Sequence, residues 1–405
     1  MSSAQVTEEV IRPPQPPGPV KWVQDNLFNN WFNSLLTVIL LPVVFFALVN
    51  VILWVFTTAD WRPVTKFPML FAVGQYPREE LWRVGVGLSS IILMLGASWG
   101  KWGGLLRSIS IATGIFFAFF TVLPVQHPAL DLSMRLYLGL NVLLLLFGNW
   151  IGQKKTVKGS YIVIGWAIVP FMFVFLLTGL EGSEFIPSVA TTFWGGLLVT
   201  FLLSAGGIIL SFPIGLLLAL GRRSTLPVVK VFSTIMIEGI RGVPLITILF
   251  MFSIILALFL PADSRIDRLV RALMAVTFFS AAYTAENVRG GLAAVPNGQI
   301  EAAKAVGMNG FQTMLFIVLP QAIRAVLPAI VGQFIALFKD TTLVVIVGIN
   351  DLLGIGRSVI NSDPEFVQLQ MEVYIFIAVI YWIFSYLMSL ASNRLEAAMG
   401  IRTRL

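Results

Sequence analysis

The chain has no cysteine among its 405 residues, and it has only one histidine. The lack of cysteine excludes disulfide bonds, thiolate catalysis and cysteine-ligated metal sites. His127 stands alone in the stretch VQHPALD, where no second histidine is available for a triad or a metal site. The composition therefore disfavours an enzyme of the thiol or zinc-hydrolase type.

Charged residues are also scarce, at 12% of the chain, whereas soluble domains carry roughly 25%. Hydrophobic residues make up 57%. Several apolar runs approach or exceed the roughly 20 residues that a helix needs to cross a bilayer. The sequence thus predicts an all-α polytopic membrane protein. Its net charge of +7 fits basic loops at a membrane surface, and no nucleic-acid partner is expected.

The apolar runs predict about ten transmembrane helices. Several runs, notably the second and fourth, are short enough that one of them could instead be re-entrant. The runs cover residues 32–56, 84–99, 106–125, 135–151, 161–178, 191–220, 231–260, 269–287, 325–348 and 372–393.

Lysine and arginine are concentrated in alternate loops, which predicts that both termini are cytoplasmic. Residues 1–30 are polar and rich in proline, without the features of a secretory signal peptide, and we expect a flexible cytoplasmic tail. A bacterial inner membrane fits this pattern. The basic residues assigned to the inner loops include Lys101, Arg107, Lys154, Lys155, Lys158, Arg222, Arg223 and Lys230.

A polar interruption, EAAKAVGMNGFQTMLFIVLP, separates two apolar segments between Glu301 and Pro320. Residues 299–306 are rich in helix formers, and Gly307 is a natural helix stop. Phe311, Leu315 and Val318 then follow at helical spacing, and Pro320 is expected to end this second helix. The pattern predicts a helical hairpin on the cytoplasmic side that docks against another protein.

The fixed positions of this stretch resemble the EAA loop of permease subunits of bacterial ABC importers. The resemblance implies that the hairpin, at residues 297–320, fits a cleft on a separate ATPase subunit. The residues that match the pattern are Glu301, Ala302, Ala303, Gly307, Ile317, Leu319 and Pro320.

Two charged residues, Glu238 and Arg241, lie inside the seventh apolar run. Their spacing allows an i,i+3 ion pair, and Gly242 and Pro244 are expected to loosen the helix directly afterwards. Charges at membrane depth usually face a protein interior or a watery cavity. The segment is therefore either a structural ion pair at a kink or part of a permeation path.

A second charged pair, Glu286 and Arg289, precedes the hairpin and has the same i,i+3 spacing. We expect a structural and coupling role for it. Gly290 and Gly291 follow, and they are expected to permit a sharp exit from the membrane.

The string FKDTTL places Lys339 and Asp340 within the ninth apolar run, with Thr341 beside them. Adjacent helical residues point about 100° apart, so the two charges cannot neutralise each other on one face. A zwitterionic amino acid needs a cation for its carboxylate, which Arg241 or Lys339 could supply. It also needs an acceptor for its ammonium group, for which Asp340 or Glu238 is available.

Residues 188–396 resemble the permeases of polar and general L-amino-acid uptake systems, through the strings EGIRGVPLITILFM, FSAAYTAENVRGGL and FKDTTL. The resemblance implies a type I ABC importer core of five helices at residues 185–396. An N-terminal extension of about five helices precedes it at 31–184, and a short tail follows at 397–405. It also implies a second permease subunit, which is a paralogous chain or another copy of this one, and an external solute-binding protein that delivers an L-amino acid. ATP and magnesium would bind the partner ATPases, with no cofactor on this chain.

Two other functions fit the sequence less well. The nearest approach to a phosphate loop, GASWGKW at 96–102, has one residue too few between its glycines and tryptophan in place of the magnesium-binding hydroxyl. This favours ATP hydrolysis by another chain. An ion-coupled secondary transporter could use Glu238 and Asp340, but it leaves the EAA spacing unexplained.

Overall fold

A computed structural model describes residues 18–123, 130–259, 261 and 266–400, and His127 lies outside these ranges. The described residues are helical, with three isolated β-bridges and no strand among them. The α-helices are α1 (Pro19–Leu27), α2 (Trp31–Leu53), α3 (Arg62–Thr65), α4 (Pro68–Val73), α5 (Leu81–Trp102), α6 (Gly104–Val122), α7 (Leu132–Gln153), α8 (Gly159–Thr178), α9 (Gly196–Arg222), α10 (Pro227–Arg241), α11 (Leu245–Phe250), α12 (Leu256–Phe259), α13 (Arg268–Ala294), α14 (Asn297–Ala305), α15 (Gly310–Gln312), α16 (Leu319–Asp340), α17 (Leu352–Ile360), α18 (Pro364–Val367) and α19 (Gln370–Ala398).

Short π-helical and 3₁₀ segments extend several of these helices. The π-helical segments are Trp54–Thr58, Met251–Ile255 and Thr313–Val318. The 3₁₀ segments are Arg78–Glu80, Thr191–Phe193 and Thr341–Val347.

Eight helices of the described residues are long and apolar enough to cross a membrane, or nine if the bent pair α10 and α11–α12 forms one span. Each of the ten predicted runs coincides with a helix or with this bent pair. One predicted run, 269–287, lies outside this set of membrane-crossing helices. It forms α13, which is long enough to cross a membrane but too polar to be counted with the others. Many α13 side chains, such as Ala275, Ala281 and Val288, have no exposed surface. A helix covered by protein on most sides does not need a lipid-compatible surface.

The chain forms two compact units. The first extends to Asp60 and contains α1 and α2 in its described part; the window of α2 that is apolar enough to cross a membrane contains no buried residue. The second extends from Trp61 to the C-terminus. The division predicted near residue 184 therefore does not coincide with a break in packing.

The segment before α5 packs into the C-terminal core of the second unit. Phe71 belongs to a buried cluster with Phe338 and Leu352, and the N–H of Gly195 donates to the carbonyl of Val73. Residues that the sequence assigns to the N-terminal extension thus complete the core.

Helices α5 and α7 cross at glycines. A Cβ added at Gly96, Gly100, Gly148 or Gly152 would lie under 3.0 Å from backbone atoms of the opposite helix. Small residues spaced by four allow this close backbone approach in membrane helices. The glycines of the GASWGKW stretch are therefore helix-packing residues.

Candidate functional site

The hairpin at 297–320 begins with α14, which ends in a Schellman motif. The N–H of Gly307 donates to the carbonyl of Lys304, and the N–H of Met308 donates to the carbonyl of Ala303. Gly307 has a φ of +86°, a conformation that glycine adopts without strain. The predicted helix stop at Gly307 is confirmed.

The second helix of the hairpin begins at Asn309, whose side chain forms a capping box with Gln312. The chain then continues through the π-helical segment Thr313–Val318 into α16. The prediction that Pro320 ends this helix is wrong. Pro320 lies in the first turn of α16, just after the ladder changes from i−5 to i−4 hydrogen bonds, so its missing N–H does not break the helix.

One face of the hairpin is anchored in the protein, and the opposite face is open. Ala303 is buried, and Val318 is buried in a cluster with Leu292 and Ala322. The open face presents apolar side chains. Glu301 and Ala302, on the first helix of the hairpin, are also exposed. The most exposed apolar side chains are Val306 at 77%, Phe311 at 74% and Phe316 at 61%.

A shallow apolar pocket lies beside this face. Its lining joins the end of α9 to the hairpin and consists of Leu220, Arg223, Phe311, Met314, Leu315 and Leu319. Of the residues that complete the EAA pattern, Leu319 belongs to this lining. Ile317 and Leu319 are half-buried, and Pro320 is exposed. The open face and the pocket together form an exposed apolar surface.

Five charged residues from α9, α10 and α13 form a single ion cluster, defined here as Arg222, Glu238, Arg241, Glu286 and Arg289. The Arg222 guanidinium lies 2.7 Å from Glu238 and 3.5 Å from Glu286. The Arg241 guanidinium lies 3.9 Å from Glu238 and 3.4 Å from Glu286. Arg289 pairs with Glu286 as well. Both i,i+3 pairs predicted from the sequence are present, and tertiary packing joins them through Arg222.

The ion cluster lies next to a break between α10 and α11. The two helices meet at an angle of 111° across residues 242–244. Pro244 precedes the first residue of α11, and Gly242 caps α10. The predicted loosening of the helix at Gly242 and Pro244 is confirmed.

The prediction that Gly290 and Gly291 form a sharp exit from the membrane is wrong. Both residues lie inside α13, which continues to Ala294. A Cβ at Gly291 would lie under 3.0 Å from the carbonyl oxygen of Ala322, whereas nothing lies within 4 Å of one at Gly290. Gly291 thus permits the crossing of α13 and α16 directly behind the hairpin.

The FKDTTL string lies at the end of α16, where the helix changes to 3₁₀ geometry after Asp340. Lys339 is exposed and Asp340 is half-buried, and among the described residues no ion pair joins either of them to the ion cluster. Thr341 is fully buried, and its hydroxyl donates to the carbonyl of Phe338. In this conformation the hydroxyl of Thr341 is hydrogen-bonded inside the helical bundle and is not exposed.

A buried polar network centred on Asp351 was not anticipated from the sequence. Asp351 is fully buried and accepts hydrogen bonds from the N–H of Gly354 at 2.9 Å and the hydroxyl of Tyr381 at 3.1 Å. Thr200 accepts the N–H of Leu352 at 3.1 Å. The network ties α9, α17 and α19 together. Burial raises the pKa of the Asp351 carboxyl, although the hydrogen bonds oppose this effect.

We predict that Asp351→Asn stabilises the protein at neutral pH. The native carboxyl keeps its proton to a higher pH than the unfolded chain does, so the free energy of unfolding falls as pH rises through that interval. Asparagine keeps the helix cap through its carbonyl oxygen, and its amide N–H can donate to the hydroxyl oxygen of Tyr381 where the second carboxylate oxygen accepted, without the buried charge. Unfolding in detergent between pH 4 and pH 8 measures this difference.

As a control, Asp351→Ala leaves buried donors without an acceptor and should lower the free energy of unfolding by about 1–3 kcal/mol. If the asparagine variant followed the same pH dependence as the wild type, Asp351 would not be the group responsible.

The family was identified by comparison with known proteins. A family model described as the binding-protein-dependent transport system inner membrane component matches residues 211–401. The inner membrane amino-acid ABC transporter permease protein YhdY of Escherichia coli is 36% identical over 391 residues, covering 93% of this chain and 91% of that protein. The chain belongs to this family of ABC importer permeases.

Other relatives differ in how much of this chain they match. The permease is 32% identical to the glutamate/glutamine/aspartate/asparagine transport system permease protein BztC of Rhodobacter capsulatus, covering 96% of this chain and 97% of that protein. A probable glutamine ABC transporter permease protein, GlnP of Bacillus subtilis, is 36% identical over 50% of this chain but 91% of its own length. The additional N-terminal length is thus shared with some relatives and absent from others.

Proposed function

We propose that this permease transports L-amino acids into a bacterial cell as one of two permease subunits, with ATPase subunits on the cytoplasmic side and a solute-binding protein outside. The names of the relatives support the substrate class. Both termini would be cytoplasmic, because the basic inner loops then lie on the side of the hairpin. ATP and magnesium would bind the ATPase subunits, and no residue of this chain is proposed to be catalytic.

The observation that carries this proposal is the two-sided hairpin. On its inner face Ala303 is buried and Val318 belongs to a core cluster, while its outer face exposes Phe311 and Phe316. Large apolar side chains exposed on a polar, anchored element are typical of a protein interface. The EAA residues would therefore contact the ATPase subunit.

Movement of the hairpin would reach the ion cluster through α13 and α16. The two helices flank the hairpin and cross at Gly291. Glu286 and Arg289 lie on α13 within about two turns of its end. A displacement of the hairpin would thus shift the charged groups of α13 relative to those of α10, at the break between α10 and α11.

The substrate path would pass the charged residues of these helices. Arg241 or Lys339 is proposed as the partner of a substrate carboxylate, and Asp340 or Glu238 as the partner of its ammonium group. Thr341 would contact the substrate only after a rearrangement, because its side chain is buried in this conformation.

Purification of the tagged permease from the bacterial membrane in mild detergent tests the assembly. We expect an ATPase subunit and a second permease subunit to co-purify, and mass spectrometry would show whether the second subunit is a paralogous chain. Recovery of the folded permease without any ATPase would contradict the proposal.

A further inference from the structure

We propose that the ion cluster is a carboxylate-binding site on the transport path, in which Glu238 occupies the position of the substrate carboxylate between Arg222 and Arg241. This inference rests on the proposed function, because it takes the transported amino acid as the ligand. It assigns distinct roles to the two glutamates of the cluster: Glu286 is a permanent anchor, and Glu238 is displaced by the ligand.

The charges of the cluster leave capacity for one more anion. Three guanidinium groups face two carboxylates, so one positive charge is not neutralised within the cluster. The Nε of Arg241 is buried without a hydrogen-bond partner among the described atoms. A guanidinium group has five N–H donors and can bind a carboxylate through two parallel hydrogen bonds. The present contacts leave some of these donors unused.

The two glutamates are held unequally. Glu286 contacts all three arginines, and its side chain is only 23% exposed. Glu238 contacts two arginines, reaches Arg241 only at 3.9 Å, and is 51% exposed. A partly exposed ion pair contributes little stability, so an incoming carboxylate can replace Glu238 at small cost.

The surroundings of Glu238 and Arg241 also allow a ligand carboxylate to replace Glu238. Open space lies beside Glu238, since about half of its side chain is exposed. Arg241, in contrast, lies over the ring of Tyr283 at 5.6 Å from the ring centre, on the α13 side of the cluster. Glu238 can therefore rotate away while Arg241 stays in position.

The test compares ligand retention by the purified, nucleotide-free importer without binding protein. The probes are a pool of the twenty proteinogenic L-amino acids and the matched pool of their α-amides, with bound species measured by mass spectrometry. Glu238→Gln removes the competing carboxylate, so retention of at least one amino acid should become roughly threefold to tenfold tighter. The amides lack the carboxylate and should be unaffected. Arg222→Gln combined with Arg241→Gln should weaken retention by about tenfold or more.

A further variant separates a specific effect from a general one. Glu365→Gln removes a glutamate that pairs with Arg62 at 3.2 Å elsewhere in the protein, and it should leave binding unchanged. Co-purification of the ATPase is measured on the same samples, so failure of the proposed function would be seen separately. Unchanged retention in Glu238→Gln, absence of retention in that variant, or an equal gain for the amides would overturn the inference.

Discussion

Replacing Glu301 by lysine together with Gly307 by aspartate is expected to remove the ATPase subunit from the purified permease while the helical bundle stays folded. Gly307 supplies the positive φ that turns the chain between the two helices of the hairpin. Aspartate in this left-handed backbone conformation should cost about 1–2 kcal/mol and change the orientation of the first helix of the hairpin. The Glu301→Lys change also reverses the charge on the exposed face of that helix. Two changes in the proposed interface should weaken the association by roughly 30-fold or more.

The measurement is the molar ratio of ATPase to permease after affinity purification. Phe311→Asp should give the same loss by a different change, because it places a charge on the open apolar face. Glu365→Lys reverses an exposed charge far from the hairpin in sequence and should keep the wild-type ratio. A wild-type ratio in both hairpin variants would show that the ATPase binds elsewhere.

Gly291→Ala is expected to destabilise the permease strongly, whereas Gly290→Ala is expected to be neutral or stabilising. The new methyl group at Gly291 would meet the carbonyl oxygen of Ala322 and the side chain of Val326, which forces α13 and α16 apart. Overpacking of this kind costs about 1–3 kcal/mol. At Gly290 the methyl group has free space, and alanine favours the helix by about 0.5–1 kcal/mol.

The two variants add the same methyl group at adjacent residues, so each is the control for the other. Denaturant-induced unfolding in detergent gives the difference between them. Gly291→Ala should also reduce ATP-driven uptake, because the crossing lies between the hairpin and the ion cluster. Equal stability of the two variants would mean that α13 and α16 do not pack closely at this point.

Local sequence signals were sufficient to predict the hairpin. Gly307 follows a run of helix formers, and the helix stop depends only on neighbouring residues. The apolar runs likewise predicted the long helices, because the length of an apolar segment directly limits its ability to cross a bilayer.

Tertiary contacts explain where prediction from the sequence was wrong or incomplete. A glycine pair is compatible with a turn or with a helix crossing, and only the position of Ala322 on another helix distinguishes the two for Gly291. Arg222 was interpreted as part of a basic loop, yet the fold brings it against Glu286 on α13.

Asp351 illustrates a different limit. In the sequence it is an ordinary acidic residue before a short helix, and its cap role alone could be anticipated. Its complete burial depends on α9 and α19 closing around it, and Tyr381 is its partner from α19. Buried polar networks of this kind are specified by the whole fold rather than by any local pattern.

Uptake into membrane vesicles tests the central claim most directly. Vesicles containing the permease, its partner subunits and the solute-binding protein should accumulate an L-amino acid when ATP is supplied to the side of the hairpin. Collapse of the ion gradients should leave this uptake intact. Uptake that needs an ion gradient but neither ATP nor an ATPase subunit would contradict the account.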